Sequence, residues 1–444
     1  MGQPDLDFQT LSHMLLPLLI GISLGAVGLP AQGAALKAAV AKTDITPPAG
    51  ELMWGYAARK APAKGTLDPL YARILVLDAE GKRFGLVVLD LGRSFGPVSL
   101  GLLREKARTT SRVDYLLVQG THTHAGPMLA DEYPGGKLPQ WESAALDKIA
   151  QAIESACQDL REARVGTGFG SVFIAHNRIR VGPDGAITMM WRNETKVPTA
   201  PVDPTVGVIR IDAQDGKPMA ILVNYACHPV ILGSDNLQHS ADFPAVMSQS
   251  IEAAFGGAPI SFFLQGAPGD IDPYYALTRL EMDPRSRLDS TGRELGEMAA
   301  RVAKAIQTDA SAEAQLQYVE DTMQFAARWA PGQEHRGAKT NEYRIPVATV
   351  LINRRIALAG LPGEPFVDLQ MNWRARSPVR EAFFLGYANG YHGYFPTIAA
   401  AATGGYGAAS TSTWLEVGAG ERMVDRVLIR LYEMLGKLRG VPEK

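Results

Sequence analysis

The sequence predicts a protein of mixed α/β (α+β) class that folds as one large domain. Short apolar, β-like runs alternate with stretches of helical periodicity along most of its 444 residues. Hydrophobic residues make up 46% of the chain and charged residues 20%, which is enough apolar material for a large core. No linker, charge block or internal repeat divides residues 36–444, so we expect a single domain there.

Six apolar runs predict strands: Ile74–Leu77, Gly85–Leu89, Tyr115–Val118, Val206–Ile211, Ile221–Tyr225 and Ile260–Leu264. Apolar spacings of three and four predict helices over Gln140–Leu160, Thr291–Ile306 and Glu421–Leu435. Ser290 is the predicted N-cap of the second helix, and Gly436 is predicted to end the third. We expect an excursion or a pair of edge strands in the polar segment Gln307–Tyr343.

Residues 1–35 resemble a signal peptide, which would place the mature protein in the periplasm or outside the cell. Met14–Val27 is apolar, and small residues follow it at a plausible cleavage site near Gly33 or Ala35. The residues before it include Asp5 and Asp7 but no Lys or Arg, so a buried N-terminal helix or an uncleaved anchor are the alternatives. No later segment has the length of a membrane span.

The charge and cysteine content exclude two classes of function. A net charge of −2 provides no basic surface that would attract phosphates, so we expect no nucleic-acid partner. Cys157 and Cys227 are the only cysteines, so the chain forms at most one disulfide, and a cysteine metal site is not expected. Cys157 has apolar neighbours at helical spacing, which predicts a core position.

Two histidines, His122 and His124, follow the predicted strand Tyr115–Val118. Polar residues at the carboxyl end of a strand commonly build active sites. The two side chains point the same way only if the backbone between them is extended. Both could then bind one metal, or one could bind while the other acts beside it. A His-x-His pair by itself is more often not a metal site.

The fifth and sixth predicted strands are also followed by polar motifs. His228 lies in a His-Pro corner after the fifth strand, and Asp270 and Asp272 lie in a Gly-rich loop after the sixth. Glycines in such a loop allow backbone amides to approach a ligand closely. The alternatives are a packing role for the His-Pro corner, a tight turn closed by the aspartates, and a helix cap for the nearby Asp242.

The C-terminal part contains two further candidate motifs. Glu364 lies between prolines and a glycine, which would hold an acidic side chain in a rigid loop. The segment that follows the motif Gly386-Tyr387 also contains Tyr391 and Tyr394. The alternatives are an exposed acid for Glu364 and packing of the tyrosines over turns.

These motifs occur in one order along the chain, beginning with Asp44-Ile45-Thr46-Pro47-Pro48 and Gly55-Tyr56-Ala57. They continue through Pro69–Arg73, the His-x-His pair, Asn177-Arg178, Asn224–Pro229, Gly269-Asp270, Pro362-Gly363-Glu364 and Tyr406–Ala409. In this order the chain resembles the catalytic domain of the neutral (non-lysosomal) ceramidases from about Ala38 onward. The resemblance implies mixed β-sheets flanked by helices, and hydrolysis of ceramide to a sphingoid base and a fatty acid.

The resemblance also implies a set of metal ligands. In that family one zinc ion is held by two histidines, a glutamate and a tyrosine, which are matched by His122, His228, Glu364 and Tyr394. Tyr394 is preferred over Tyr391 on the basis of spacing. Tyr406 matches the family's next functional tyrosine, and Tyr394 lies before it at the distance along the chain that the family shows. By the same resemblance His124 acts beside the metal, while Arg178 and Tyr406 hold or polarise the scissile carbonyl.

Two departures from the family affect the expected substrate. Asp272 stands where the family has a serine, and a carboxylate there would favour a cation or donor in the substrate, or would itself act as a base or ligand. The sequence also ends soon after the predicted helix Glu421–Leu435, so we expect no C-terminal β-sandwich domain of the kind that longer members carry.

Three functions are therefore compared. The first is a zinc-dependent amidohydrolase that acts on ceramide or another N-acylated amine, which is a small-molecule or lipid-like substrate. The second is a zinc-dependent esterase or lactonase, and the third is a metal-stabilised envelope protein without catalysis. The proposed donor set also suits manganese or iron. The sequence does not predict the oligomeric state.

Overall fold

A computed structural model describes residues 35–310, 314–329, 341–409 and 412–439. Its strands, in chain order, are β1 Lys37–Asp44, β2 Gly65–Thr66, β3 Tyr71–Ala79, β4 Lys82–Leu89, β5 Tyr115–Gly120, β6 Arg161–Ser171, β7 Ala175–Asn177, β8 Ile179–Val181, β9 Ile187–Met189, β10 Thr205–Ala213, β11 Pro218–Tyr225, β12 Gln238–His239, β13 Ile260–Gln265, β14 Ile271–Pro273, β15 Leu316–Ala326, β16 Glu342–Ile352, β17 Ile356–Gly360, β18 Glu364–Pro365, β19 Glu381–Leu385 and β20 Tyr394–Phe395. Its α-helices are α1 Pro97–Ser111, α2 Gln140–Gln158, α3 Phe243–Ala254, α4 Pro284–Ala305, α5 Val367–Arg376, α6 Ile398–Thr403 and α7 Ala419–Met434.

Two mixed sheets form the centre of the fold. The larger sheet has eight strands in the order β13-β11-β10-β6-β1-β3-β4-β5. Most of its neighbours are antiparallel, but β4 pairs with β5 and β11 pairs with β13 in parallel. The smaller sheet has the order β15-β16-β17-β19, in which β17 and β19 run parallel. The mixed sheets flanked by helices that the resemblance implied are confirmed.

The sheets and helices stack in four layers. One face of the larger sheet packs on the smaller sheet, so that Leu117, Leu264 and Leu358 share one buried cluster. Helices α1 to α4 cover the opposite face of the larger sheet. Helices α5 and α7 cover the far face of the smaller sheet. Because both sheets contribute to one core, the arrangement supports a single domain.

Most of the predicted elements are confirmed. All six predicted strands lie within observed strands, and α2 and α7 begin within two residues of their predicted starts. The polar segment before β16 provides β15, an edge strand of the smaller sheet, as expected. Cys157 is only half-buried against the core, so its predicted core position holds in part, and neither it nor Cys227 forms a disulfide.

The predicted start of the second helix is wrong. Helix α4 begins at Pro284, and Ser290 lies inside it. The N-cap is Asp283, whose side chain accepts a hydrogen bond from the N–H of Ser286 at 3.2 Å. An acidic cap followed by proline at the first helical position is a favourable helix start. The polar residues of the first turns concealed the helical periodicity there.

The signal peptide predicted for residues 1–35 lies outside the described residues, except for residue 35. Export therefore stays a prediction. Among the helices of the described ranges, none combines the length and the apolar content that crossing a membrane requires.

Candidate active site

Six of the eight predicted site residues lie after the carboxyl ends of five strands from both sheets. These ends are followed by His122 and His124 after β5, His228 after β11, Asp270 and Asp272 after β13, Glu364 after β17, and Tyr387, Tyr391 and Tyr394 after β19. Strands β11 and β13 run parallel, as do β17 and β19, so their loops leave each sheet at one edge. The fold thus collects residues that are far apart in the sequence.

Three buried amide side chains, which we call the amide seam (Gln119, Asn224 and Gln265), bind these strand ends together. Gln119 donates to a carbonyl of β13 at 2.8 Å and to one just after β19 at 2.9 Å. Asn224 donates to carbonyls of β13 at 2.9 Å and β19 at 2.8 Å. Gln265 donates to the carbonyls of Thr121 at 3.1 Å and Cys227 at 2.8 Å. The seam therefore fixes the two sheets relative to each other where the site begins.

His122, His124 and His228 bring their side chains together at this edge. One ring nitrogen of each lies within 4.8 Å of the others, and the Nε2 atoms of His122 and His124 are 3.1 Å apart. The backbone at His122 has a φ of 71°, so the two side chains meet without the extended backbone that the His-x-His spacing was thought to require. A left-handed residue in a tightly packed loop is a form of strain that is common at functional sites.

Glu364 adds a carboxylate to the three histidines. Its Oε2 atom lies 3.1 Å from His228 Nε2 and 3.6 Å from His122 Nε2. Its other oxygen, Oε1, accepts a hydrogen bond from the Tyr391 hydroxyl at 2.5 Å. The residue is 2% exposed, so the alternative of an exposed acid is wrong.

Backbone carbonyls set the orientation of two of the rings. His122 Nδ1 donates to the carbonyl of Gly92 at 2.6 Å, and His228 Nδ1 donates to the carbonyl of Ile271 at 3.0 Å. Each bond leaves the Nε2 lone pair directed at the cluster. Burial lowers the pKa of His122 to about 3, so its ring is neutral at physiological pH. Tyr387 stacks on the same ring with centroids 4.0 Å apart.

The donor set fits a metal ion. His122 and His228 both present Nε2 lone pairs toward the Glu364 carboxylate, and their Nδ1 protons are used elsewhere. Electron-pair donors that face one another in a buried site repel unless a cation lies between them. Imidazole nitrogens and a carboxylate oxygen are ligands of zinc, and they also suit manganese and iron. The buried group could therefore hold a metal.

Two tyrosines take different positions beside Glu364. The Tyr391 hydroxyl donates to the carboxylate, whereas the Tyr394 hydroxyl accepts a hydrogen bond from Arg178 Nη2 at 3.2 Å. Tyr394 lines the cavity described below, and Tyr391 is not among the lining residues. The geometry thus keeps both tyrosines as candidates for the fourth ligand, with Tyr394 on the open side.

Arg178 and Asp272 form a buried ion pair next to the histidines. Arg178 Nη1 donates to Asp272 Oδ1 at 3.1 Å, and Nη2 donates to the carbonyl of Gly269 at 2.7 Å. The same carboxylate oxygen is 3.6 Å from His228 Nδ1. Although burial opposes the change, the Asp272 carboxylate and Tyr394 raise the pKa of the Arg178 guanidinium. The guanidinium therefore remains a cation in the site.

A cavity of about 590 Å³ opens onto these groups. Six of the eight predicted site residues line it: His124, Arg178, His228, Asp272, Tyr394 and Tyr406. The other two, His122 and Glu364, lie behind this lining in contact with His124 and His228. The structure therefore brings the whole predicted set into one site.

Trp191 is a site residue that the sequence did not predict. It packs edge-to-face on Tyr406, with centroids 5.5 Å apart, and both rings lie over the Arg178 guanidinium, at 5.4 Å and 5.2 Å. Met190, the residue before it, is fixed by two hydrogen bonds. Its N–H donates to the carbonyl of Arg178, and its carbonyl accepts from His176. A single tryptophan in an irregular segment carries no pattern that would have identified it.

The loop Gly55–Arg59 forms the opposite wall. The Tyr56 ring packs edge-to-face on His124 at 4.9 Å, and its hydroxyl donates to the carbonyl of Leu232 at 2.7 Å. Arg59 donates to the carbonyl of His124. A Cβ atom added to Gly55 would lie 2.6 Å from His124 Cβ, so only glycine fits here. The Gly55-Tyr56-Ala57 motif was a signal of family resemblance, but no role had been predicted for it.

Two further aspartates near the site hold neighbouring segments in place by hydrogen bonds. Asp270 accepts hydrogen bonds from Asn177 at 2.6 Å and from the N–H of Val367 at 2.9 Å, which ties the Arg178 segment to the start of α5. Burial raises the pKa of Asp270 to about 6. Asp242 caps α3 by accepting from the N–H of Phe243 at 2.7 Å, so the helix-cap alternative is confirmed.

Comparisons with solved structures identify the fold. The crystal structure of neutral ceramidase from Pseudomonas aeruginosa matches with a TM-score of 0.74 at 18% identity, over 92% of this chain and 76% of that chain. A structure described as ceramidase complexed with C2 matches with a TM-score of 0.71 at 17% identity, over 93% of this chain and 77% of that one. At these identities the likeness establishes the shared fold.

Comparisons of sequence identify the family. The chain is 28% identical over 250 residues to neutral ceramidase A of Dictyostelium discoideum, and 26% identical over 252 residues to the neutral ceramidase of Mycobacterium tuberculosis. Each match covers 52% of this chain but only 35% and 39% of the respective relatives. The sequence model described as neutral/alkaline non-lysosomal ceramidase, N-terminal, matches residues 37–316. The chain belongs to the neutral/alkaline non-lysosomal ceramidase family.

Proposed function

We propose that the chain is a zinc-dependent hydrolase of N-acyl amide bonds, with ceramide or a related N-acylated amine as substrate. The observation that carries the proposal is the convergence of the His122, His228 and Glu364 electron pairs behind a cavity that also contains a buried arginine. Family membership supports hydrolysis of ceramide in particular.

The proposed zinc ligands are His122, His228, Glu364 and Tyr394. A zinc ion bound by them would supply a Lewis acid that activates water for attack on a carbonyl. The chain's own contribution to the two histidines is to keep their Nε2 atoms unprotonated and fixed in place. The carbonyls of Gly92 and Ile271 do this for the two histidines by occupying their Nδ1 protons.

His124 is the proposed proton carrier. Burial and the neighbouring His122 hold its pKa well below the ordinary value, so the ring is neutral before the reaction. Its Nδ1 atom has no hydrogen-bond partner among the described residues, and the ring borders the cavity. We propose that His124 takes a proton from the attacking water and returns it to the departing amine.

Arg178 and Tyr406 are the proposed carbonyl-binding groups. Arg178 Nε is buried and has no partner among the described residues, so one charged donor of the guanidinium is not used by the protein. Tyr406 lies over the guanidinium and is 39% exposed, so its hydroxyl is accessible from the cavity. Such donors stabilise the negative charge that develops on the carbonyl oxygen during attack.

Release of fatty acid from a short-chain N-acylsphingosine tests this proposal. We expect hydrolysis by the purified protein, loss of hydrolysis with a chelator, and recovery when zinc is added back. A matched ester should be included because the same groups would serve an esterase or lactonase. Ester cleavage without amide cleavage would favour the esterase, and cleavage of neither by the zinc-loaded protein would favour a non-catalytic envelope protein.

The predicted leader supports a second proposal, that the protein is exported. Residues 1–35 contain the apolar run Met14–Val27 followed by small residues. N-terminal sequencing of the protein recovered from the periplasm or medium tests this proposal. We expect a start near Gly33 or Ala35, and recovery of the chain with an intact N-terminus would argue for an anchor.

A further inference from the structure

Asp272 is a carboxylate held rigidly at the inner end of the cavity. It lies on β14, where it pairs with His176 of β7 in an antiparallel ladder, and it is 2% exposed. The flanking residues Ile271 and Pro273 belong to the same ladder. The position of its side chain is therefore set by backbone pairing on both sides.

Only one of its two carboxylate oxygens is occupied. Oδ1 accepts from Arg178 at 3.1 Å and lies 3.6 Å from His228 Nδ1. Oδ2 accepts no hydrogen bond from the residues that the structure describes. An ionised carboxylate has about four lone-pair sites, so Oδ2 keeps the capacity to accept a hydrogen bond from a molecule in the cavity. Because Asp272 lines the cavity, a ligand can provide the missing donor.

The protein offers no competing cation for this oxygen among the lining residues. Arg178 is already bound to Oδ1, and the other arginine of the lining, Arg279, forms an ion pair with Glu281 at 3.1 Å. The hydroxyl of Tyr394 accepts from Arg178, and it makes no hydrogen bond to Asp272 among the described residues. A substrate bound in the cavity can therefore carry the donor, close to the bond that reacts.

We infer that Asp272 Oδ2 accepts a hydrogen bond from a hydroxyl or ammonium group next to the scissile amide. This inference rests on the proposed function and narrows its substrate class to N-acyl amides that carry such a donor within a few bonds of the amide. A plain N-alkyl amide would leave the oxygen unpaired. Sites built to bind a polar group reject the analogue that lacks it for this reason.

Four short-chain amides of one chain length test the inference. N-acylethanolamine carries a hydroxyl on the amine side, and N-acyl-ethylenediamine carries an ammonium there. N-(2-hydroxyacyl)propylamine carries a hydroxyl on the acyl side, and N-acylpropylamine has no donor beyond the amide N–H that all four share. With the zinc-loaded protein we expect kcat/KM for at least one donor-bearing amide to exceed that of N-acylpropylamine by about tenfold or more. Which of the three is favoured locates the donor. Equal values for all four would overturn the inference without needing a variant.

Substitution assigns the preference to Asp272. Asp272→Asn keeps the shape of the side chain and Asp272→Ser removes it, and we expect either to reduce the preference to about threefold or less. Asp235→Asn is the matched control, because Asp235 also lines the cavity but is exposed and accepts from the N–H of Leu280. It should leave the ratio of kcat/KM values unchanged. A ratio that survives both Asp272 substitutions would contradict the inference.

Binding separates this inference from the proposed function. If the zinc-loaded protein cleaves none of the four amides, the proposed function fails, and calorimetry with the same compounds and variants then decides the role of Asp272. A Kd for a donor-bearing amide about tenfold below that of N-acylpropylamine, lost in Asp272→Asn, would support the inference. Equal Kd values would overturn it independently of catalysis.

Discussion

Asn389 accepts a hydrogen bond on its Oδ1 atom from the backbone N–H of Val118 at 2.8 Å, and its own N–H donates to the Val118 carbonyl at 2.8 Å. The loop after β19, which carries Tyr387, Tyr391 and Tyr394, is thus bound through the backbone and the side chain of one residue to β5, the strand that leads to His122. The Nδ2 group of Asn389 also donates to Glu320 of β15 at 2.7 Å. Asn389 therefore connects β15, at the edge of the smaller sheet, with the strand that leads to His122 and with the loop that carries the tyrosines.

Asn389→Ala should reduce both stability and turnover. The substitution leaves the buried N–H of Val118 without an acceptor, which costs about 1–3 kcal/mol. Urea denaturation measures the free energy of unfolding, with the exposed Asn372→Ala as the control, which we expect to change it by less than about 0.5 kcal/mol. Equal effects of the two substitutions would show that Asn389 has no special structural role.

Gly55→Ala should displace His124 and reduce kcat. The added Cβ atom would lie 2.6 Å from His124 Cβ, a distance that the backbone cannot accept without a shift. Gly50→Ala is a matched control, because Gly50 has nearly the same φ, 101° against 103°, but no atom lies within 4 Å of the added Cβ. Both variants have similar backbone strain, so a larger loss of kcat in Gly55→Ala isolates the contact with His124. Similar losses in both would contradict this prediction.

His228→Ala should abolish stoichiometric metal binding. It removes one of the two imidazole lone pairs that face Glu364, and the remaining donors no longer enclose a cation. Mass-spectrometric metal analysis of the purified, folded variant checks this. His239→Ala serves as the control, because His239 is buried outside the histidine group and should keep the metal. Full metal content in His228→Ala would mean that the ligand assignment is wrong.

Phenylalanine substitutions distinguish the two candidate tyrosine ligands. Tyr394→Phe should lower metal affinity and turnover if Tyr394 is the fourth ligand. Tyr391→Phe removes only the hydrogen bond to Glu364 Oε1, so we expect a loss of affinity of about 10–100-fold or less, as for other residues that orient a ligand. Competition with a chromogenic chelator measures both affinities. A larger effect of Tyr391→Phe would reverse the assignment.

Asp68 predicts a pH dependence of stability. Burial raises its pKa to about 6, although it accepts hydrogen bonds from Ser240 and from the N–H of Ala241. The unfolded chain, with a pKa of about 3.9 for this group, releases the proton first as pH rises. The folded state then binds more protons, so the contribution of Asp68 to the free energy of unfolding falls between about pH 4 and pH 6.

Asp68→Asn removes this titration. Relative to the wild type, the free energy of unfolding of the variant should therefore rise between about pH 4 and pH 7, by at most about 3 kcal/mol. Urea denaturation at a series of pH values measures the difference, with the exposed Asp159→Asn as the control. A difference between Asp68→Asn and the wild type that is independent of pH would contradict a raised pKa at Asp68.

The sequence predicted the residues that carry the chemistry of the site better than the residues and backbone conformations that position them. His122, His228 and Asp270 follow apolar runs within a few residues, so their place after a predicted strand identifies them. The family motifs add Glu364 and Arg178. Neither source predicted Trp191, because its position depends on contacts with Tyr406 and Arg178 that are remote in the sequence. The left-handed turn at His122 was also missed, since the spacing of two histidines does not specify φ.

Helix boundaries show a similar limit. The periodicity of α4 is clear only in its apolar second half, whereas its true start depends on the Asp283 cap and Pro284. The order of the strands was not predicted at all, because the pairing of β11 with β13 or of β17 with β19 involves sequence separations that local patterns do not encode. The fold class followed from the sequence, while the stacking of two sheets did not.

The amide seam has a consequence for how the protein responds to pH. Gln119, Asn224 and Gln265 hold the strand ends with side chains that neither gain nor lose a proton in the physiological range. The alignment of the two sheets should therefore not change with pH, even though carboxyl and imidazole groups nearby titrate. A change of rate with pH should then report on the reacting groups themselves and not on a loosening of the framework that holds them.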